Sequence, residues 1–161
     1  MIDYGRGGAH GMGEAGERRY LDDFHVGQRF TTGTYTMTEA KIVAFASEFD
    51  PQPFHLSEAE GRDSLLGGLA ASGWHTAAVT MRLQVEGEMQ MAGGMVGAGG
   101  EITWPAPTRP GDVLRVETEV LDVRPSRSRL DRGIVTVLAE TKNHDGVVVQ
   151  ALKATLVVLR R

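Results

Sequence analysis

No cysteine occurs in the 161 residues, which excludes disulfides, thiolate nucleophiles and cysteine-ligated zinc and agrees with a reducing compartment. No apolar run approaches the ~18 residues of a membrane-crossing helix, and the charged-then-apolar order of a signal peptide is missing, so a soluble, cytoplasmic protein is expected. Excess charge of one sign is also lacking. Seventeen Lys and Arg stand against 21 Asp and Glu, a net charge of -4, and basic residues cluster only at Arg124, Arg127, Arg129 and Arg132. Nucleic-acid binding requires a broader basic footprint and is not expected. What is present, 41% hydrophobic and 24% charged residues, is the composition of a globular chain long enough for one domain with one core.

Residues 1–19 carry six glycines in the first sixteen positions and almost no apolar periodicity, so this stretch reads as a flexible arm, with His10 a solvated tail residue. The domain is expected over 20–161. A first strand is expected over 30–37, then a helix capped by Thr38 with Ile42, Phe45, Ala46 and Phe49 at helical spacing. Pro51 and Pro53 predict a stiff extended loop over 50–55. Ser57 with Glu60 marks a short helix ending near Gly67-Gly68. From Ser72 a buried central helix is expected, with Trp74, Ala77, Ala78, Met81 and Val85 on its apolar stripe and Val79 and Leu83 beside it. Alternation over 95–104, 113–124, 133–142 and 147–159, with Asp145-Gly146 as a hairpin turn, predicts a four-strand antiparallel meander. The fold class is α+β, with the helix on one sheet face.

Two segments carry chemistry. Asp50-Pro51-Gln52-Pro53-Phe54-His55 holds a carboxylate and an imidazole five residues apart on a stiffened loop, where they could share a water in general acid-base work. Taken alone, the six residues favour a capping Asp50 and a His55 bonded to a carbonyl. Ala71-Ser72-Gly73-Trp74-His75 opens the central helix, whose free N-H groups and dipole favour developing negative charge. There the Gly73 N-H suits a thioester oxygen as charge develops. Ser72 is a helix cap or a substrate contact. As a nucleophile with His75 it would make a poor triad.

These two segments, with Glu101-Ile102-Thr103-Trp104-Pro105-Ala106-Pro107 and Arg109-Pro110-Gly111-Asp112, resemble MaoC-like dehydratases and (R)-specific enoyl-CoA hydratases over about residues 20–161. The resemblance implies a hot-dog fold, a curved antiparallel sheet wrapped around a long central helix. It implies Asp50 and His55 as the groups that activate water and Gly73 as the N-H donor to the thioester carbonyl. Gln52, Ser72 and Trp74 are the expected substrate contacts. Gln52 and Ser72 depart from the family's usual Asn and His, which leaves the acyl group open.

The expected activity is reversible hydration of a trans-2-enoyl thioester, carried on CoA or an acyl carrier, to an (R)-3-hydroxyacyl thioester. A homodimer is expected, with no metal and no redox cofactor. The rivals are a hot-dog thioesterase and a non-catalytic acyl-binding subunit. His25 and His75 lack the context of a metal site. Met81, Met89, Met91 and Met95 suit core or an acyl pocket. The arginine cluster suits either CoA phosphates or a solvated hairpin.

Overall fold

The computed structural model describes residues 18–161; the glycine-rich arm and His10 lie outside them except for the arm's last two residues. Arg19 belongs to the folded part. Its N-H donates to the Gln90 carbonyl at 2.9 Å and its carbonyl accepts from the Ala92 N-H at 2.9 Å, forming a bridge beside Met91.

Strands β4 (Val113–Pro125), β5 (Arg132–Lys142) and β6 (Val148–Leu159) form the expected antiparallel meander. Burial along β5 alternates residue by residue, as it must when one sheet face covers the core. The fourth strand, β3 (Val96–Thr103), does not sit beside β4 as a simple meander requires. It pairs with β6, and the order is β1-β4-β5-β6-β3, with β1 (Arg29–Thr31) at the opposite edge. The reason lies in residues 104–112, where Pro105, Pro107 and Pro110 remove the donors that a tight hairpin needs. The chain crosses one end of the sheet instead.

The single strand expected over 30–37 is also interrupted, into β1 and β2 (Tyr35–Thr36), both paired with β4. Between them the Thr32 hydroxyl accepts from the Val116 N-H at 3.0 Å, replacing a backbone partner. Register shifts at Gly97/Gly99, Val120/Asp122 and Thr141/Lys142 bend the strands, as bulges do.

Helix α1 (Glu39–Phe49) starts as expected, with Thr38 Oγ accepting from the Lys41 N-H at 3.3 Å. The loop over 50–55 is not extended as expected: the Gln52 N-H donates to the Asp50 carbonyl at 2.7 Å, closing a tight turn across Pro51, and only Gln52 itself is extended. Pro53 then opens a single helical turn, α2 (Pro53–Leu56), because its fixed φ suits the first helical position. Ser57 caps α3 (Glu58–Arg62), which ends before Gly67-Gly68.

The central helix α4 (Gly73–Glu86) is present, but its expected buried stripe faces outward: Trp74, Met81 and Val85 are 61%, 43% and 53% exposed. The inward face carries Val79 and Leu83 with His75, Thr76, Thr80 and Gln84. The sheet beneath supplies the polar partners. Thr80 Oγ lies 2.6 Å from Thr141 Oγ, and Gln84 Nε2 donates to Thr118 Oγ at 3.3 Å. A buried polar face is tolerable when its groups are hydrogen-bonded. Among the described residues, no helix is long and apolar enough to cross a membrane.

Candidate active site

Asp50 follows α1, His55 lies in α2, and Ser72 and Gly73 open α4. Two backbone bonds bring these pieces together: the Ala70 N-H donates to the Phe54 carbonyl at 3.2 Å, and the Ala71 N-H to the Thr108 carbonyl at 2.8 Å. The strand-like approach to α4 is thereby clamped between the α2 turn and the proline-rich crossing.

His55 is buried, and its Nδ1 lies 2.7 Å from the Ala70 carbonyl oxygen. That oxygen can only accept, so Nδ1 carries a proton. In the neutral ring Nε2 is then a lone pair, and it faces Asp50 Oδ2 at 3.3 Å. Two acceptors so placed are reconciled by one shared proton or by a water donating to both. This is the geometry required of an acid-base pair acting on one water.

Asp50 is held from two further directions. Ser72 Oγ donates to Oδ2 at 2.7 Å, and Gln52 Nε2 donates to Oδ1 at 2.7 Å. Burial disfavours the carboxylate, but the Ser72 and Gln52 hydrogen bonds, joined by the charge of His55 when that ring is protonated, outweigh it and hold the Asp50 carboxyl below the ordinary aspartate range. Asp50 is therefore ionised near neutral pH.

Ser72 and Gln52 thus both orient the Asp50 carboxylate. Ser72 is fully buried, its single proton goes to Asp50, and its oxygen also accepts the Trp74 N-H at 3.2 Å, so it caps α4 and orients the carboxylate at once. No proton remains for a ligand. The Ser72–His75 pairing does not form: the His75 ring stacks on Phe45 with centroids 4.6 Å apart, and its buried Nδ1 has no partner among the described residues. Burial, reinforced by Lys41, pushes the His75 pKa down.

Asp50, His55 and Gly73 line one cavity of about 470 Å³, with Trp74, Trp104, residues 105–108 and Val149 among its walls. As the first residue of α4, Gly73 has no intrahelical acceptor for its N-H, so the group is available to an oxyanion. A Cβ at Gly73 would lie 2.6 Å from Trp104 Cε2. Glycine is therefore required by the indole as well as by a ligand. Trp74 meets Trp104 edge-on at 5.4 Å between centroids. The contribution of Trp104 was not legible, since in sequence it is only the end of a strand.

The remaining candidates lie elsewhere. Arg124 and Arg132 pair with Asp122 at 2.6 Å and Asp131 at 2.7 Å. Their hairpin is at the far end of the sheet, Arg132 pairing with Leu159, whereas Thr103, next to Trp104, pairs with Ala151. Met89 and Met91 are core, Met95 is half-buried and Met81 is exposed; none lines the cavity. No cluster of three or more His, Asp or Glu among the described residues is arranged to hold a metal ion.

A model for the MaoC like domain matches residues 23–143. A MaoC-like dehydratase from Rhodospirillum rubrum, known as a crystal structure, is 57% identical, with a TM-score of 0.87 over 89% of this chain and 98% of that one. The uncharacterized protein YdeM of Bacillus subtilis is 37% identical over 79% of this chain and 89% of its own length. The R-hydratase PhaJ1 of Pseudomonas aeruginosa, at 23% identity, shares the fold with a TM-score of 0.71 over 88% of this chain and 86% of that one.

Proposed function

Because the chain belongs to the MaoC-like dehydratase family, and is to that extent a hydratase or dehydratase, we propose that it interconverts a trans-2-enoyl thioester and an (R)-3-hydroxyacyl thioester. The observation that carries the reading is the Asp50–His55 pair. Oδ2 and the Nε2 lone pair face one another at 3.3 Å in the cavity that also holds the Gly73 N-H.

In the hydration direction a water sits beside the pair on its cavity side, within hydrogen-bond reach of both groups. Asp50 takes a proton from it as the water oxygen bonds to the β-carbon. The alkene electrons move toward the thioester oxygen, where the Gly73 N-H meets the developing charge. The α-carbon then takes a proton delivered through His55 Nε2, and the dyad returns to its starting state. No electrons change hands, so the reaction needs no redox cofactor; CoA or an acyl carrier enters only as part of the substrate. We place the enzyme in the cytoplasm.

A homodimer completes this reading. β3 is an edge strand exposed along nearly all its length, and an open ladder is a template for another strand. The outward stripe of α4 runs beside it, since Trp74 touches Trp104 just after β3, and Val85 shares a recess with Gly94 and Met95 just before it. An identical edge and stripe related by a two-fold axis would cover both.

The test follows purified protein on a panel of enoyl-CoA thioesters, reading loss of the conjugated double bond and release of free thiol together. Loss of the double bond without thiol is expected. Thiol release as the main signal would make the protein a thioesterase, and neither signal would make it a non-catalytic acyl-binding subunit.

A further inference from the structure

Trp104 leaves β3 and enters the cavity wall at the point where the thioester carbonyl must sit. Its ring atoms Cε2, Cδ2 and Cζ2 come within 2.6–2.8 Å of the place a Gly73 Cβ would occupy. The indole thus lies directly against the Gly73 backbone, beside the free N-H. Any acyl chain anchored by its carbonyl at that N-H meets the fused ring within its first few carbons, between Trp104, Trp74 and Pro105.

The ring is also fixed in place. Indole nitrogen can only donate, and it donates to Gln150 Oε1 at 3.0 Å. Gln150 is fully buried, and with its oxygen so engaged its Nε2 donates to Thr80 Oγ at 3.1 Å. The Thr80 proton goes to the Thr76 carbonyl at 2.9 Å, leaving Thr80 Oγ to accept from Thr141 at 2.6 Å. Each member has one consistent donor-acceptor role, so the Gln150 amide has one orientation and the indole one anchor. Swinging the ring aside would leave a buried Gln150 oxygen without a donor.

Resting on the hydratase reading above, we propose that Trp104 is the specificity-determining residue of this site, restricting it to short-chain acyl thioesters, and that Gln150 is the positioning residue that holds the indole closed. The polar inward face of α4 is then more than a packing solution: it carries the anchor of the substrate wall.

The experiment compares wild type, Trp104→Ala and Gln150→Met on crotonyl-, hexenoyl-, octenoyl- and decenoyl-CoA, with kcat and KM measured separately. An apolar pocket discriminates one methylene by about tenfold or more. Wild-type kcat/KM is expected to fall steeply from crotonyl to octenoyl. In Trp104→Ala the octenoyl-to-crotonyl ratio should rise by at least about tenfold, chiefly through KM for the longer chain. Gln150→Met should move the ratio the same way by less, because the ring remains but is no longer anchored; a merely structural role would lower all four substrates together. If the alanine variant does not fold, Trp104→Leu carries the same test. Hydration with an unchanged length ratio in a folded Trp104 variant, or a wild type indifferent to chain length, overturns this inference alone. No hydration of any panel member by wild type overturns the hydratase reading and this inference with it.

Discussion

On its inward side α4 presents Thr76, Thr80 and Gln84 to the sheet, whereas on its outward side it presents Trp74, Ala78, Met81 and Val85 to solvent. The usual helix of a globular domain is arranged the other way round. The inward polar groups are tolerated because Thr118, Thr141, Thr108 and Gln150 bond them at 2.6–3.3 Å. The outward apolar groups have no such compensation within the described residues. The inward groups other than His75 Nδ1 are therefore satisfied within a single chain, whereas the outward apolar groups stay exposed in it. The N-terminal end of the same helix, where the two faces converge, adjoins the Asp50–His55 pair and the candidate site.

The largest effect is expected at that end. Asp50→Asn preserves size but removes the base, so turnover should fall by about two to four orders of magnitude with the fold intact, and His55→Ala should fall similarly. The double variant should cost far less than the product of the two, since groups acting on one water behave as a unit. Full multiplicativity in steady-state kinetics would separate the two residues and break the shared-water mechanism.

Next comes the outward face. Met81→Glu puts a charge on the exposed stripe; light scattering should show a dimer for wild type and a 17.4 kDa species for the variant, with circular dichroism unchanged. An equally dimeric variant would place the contact elsewhere. On the inward face, Thr80→Val removes the hydroxyl that receives Gln150 and Thr141, and stability in urea should drop by about 2 kcal/mol. A neutral result would mean that the polar face is not held by these bonds.

Ser72→Ala should have the smallest effect, about tenfold in kcat/KM, roughly 1.4 kcal/mol, with a signature in the pH profile. The Ser72 hydrogen bond lowers the Asp50 pKa; the active form is the carboxylate, and activity is lost as pH falls through that pKa. Removing the bond raises the pKa, so the acidic limb of kcat/KM must move to higher pH. An unmoved limb would reduce Ser72 to a helix cap.

Much of this was legible in the sequence where the cause is local. Thr38 and Ser72 cap helices because a hydroxyl reaches an N-H two or three residues on, and Pro51 ends α1 by keeping Asp50 out of helical geometry through steric conflict. The length and position of α4 follow from periodicity, and three strands of the sheet from alternation. What failed was partner choice. Periodicity places Trp74, Ala77, Ala78, Met81 and Val85 on one stripe, but it does not say whether that stripe or the threonines meet the sheet, because a threonine's cost depends on whether an acceptor waits opposite. Alternation in β3 does not say which strand lies beside it. Pro53 stands in the sequence as a stiffener, yet its fixed φ serves an extended turn and a first helical position equally well.

By itself the sequence determined the elements and brought Asp50, His55 and Gly73 forward as candidates, since short-range sterics, capping and period act within a few residues. Only the tertiary structure decided that Ser72, twenty-two residues from Asp50, donates a hydrogen bond to it, and that Gln150, forty-six residues from Trp104, fixes the indole over Gly73. It likewise decided that the apolar side of α4 faces out. Contacts of that range depend on how the chain crosses the sheet, and a hydrogen bond or a buried face has a free energy only once its partner has been brought opposite.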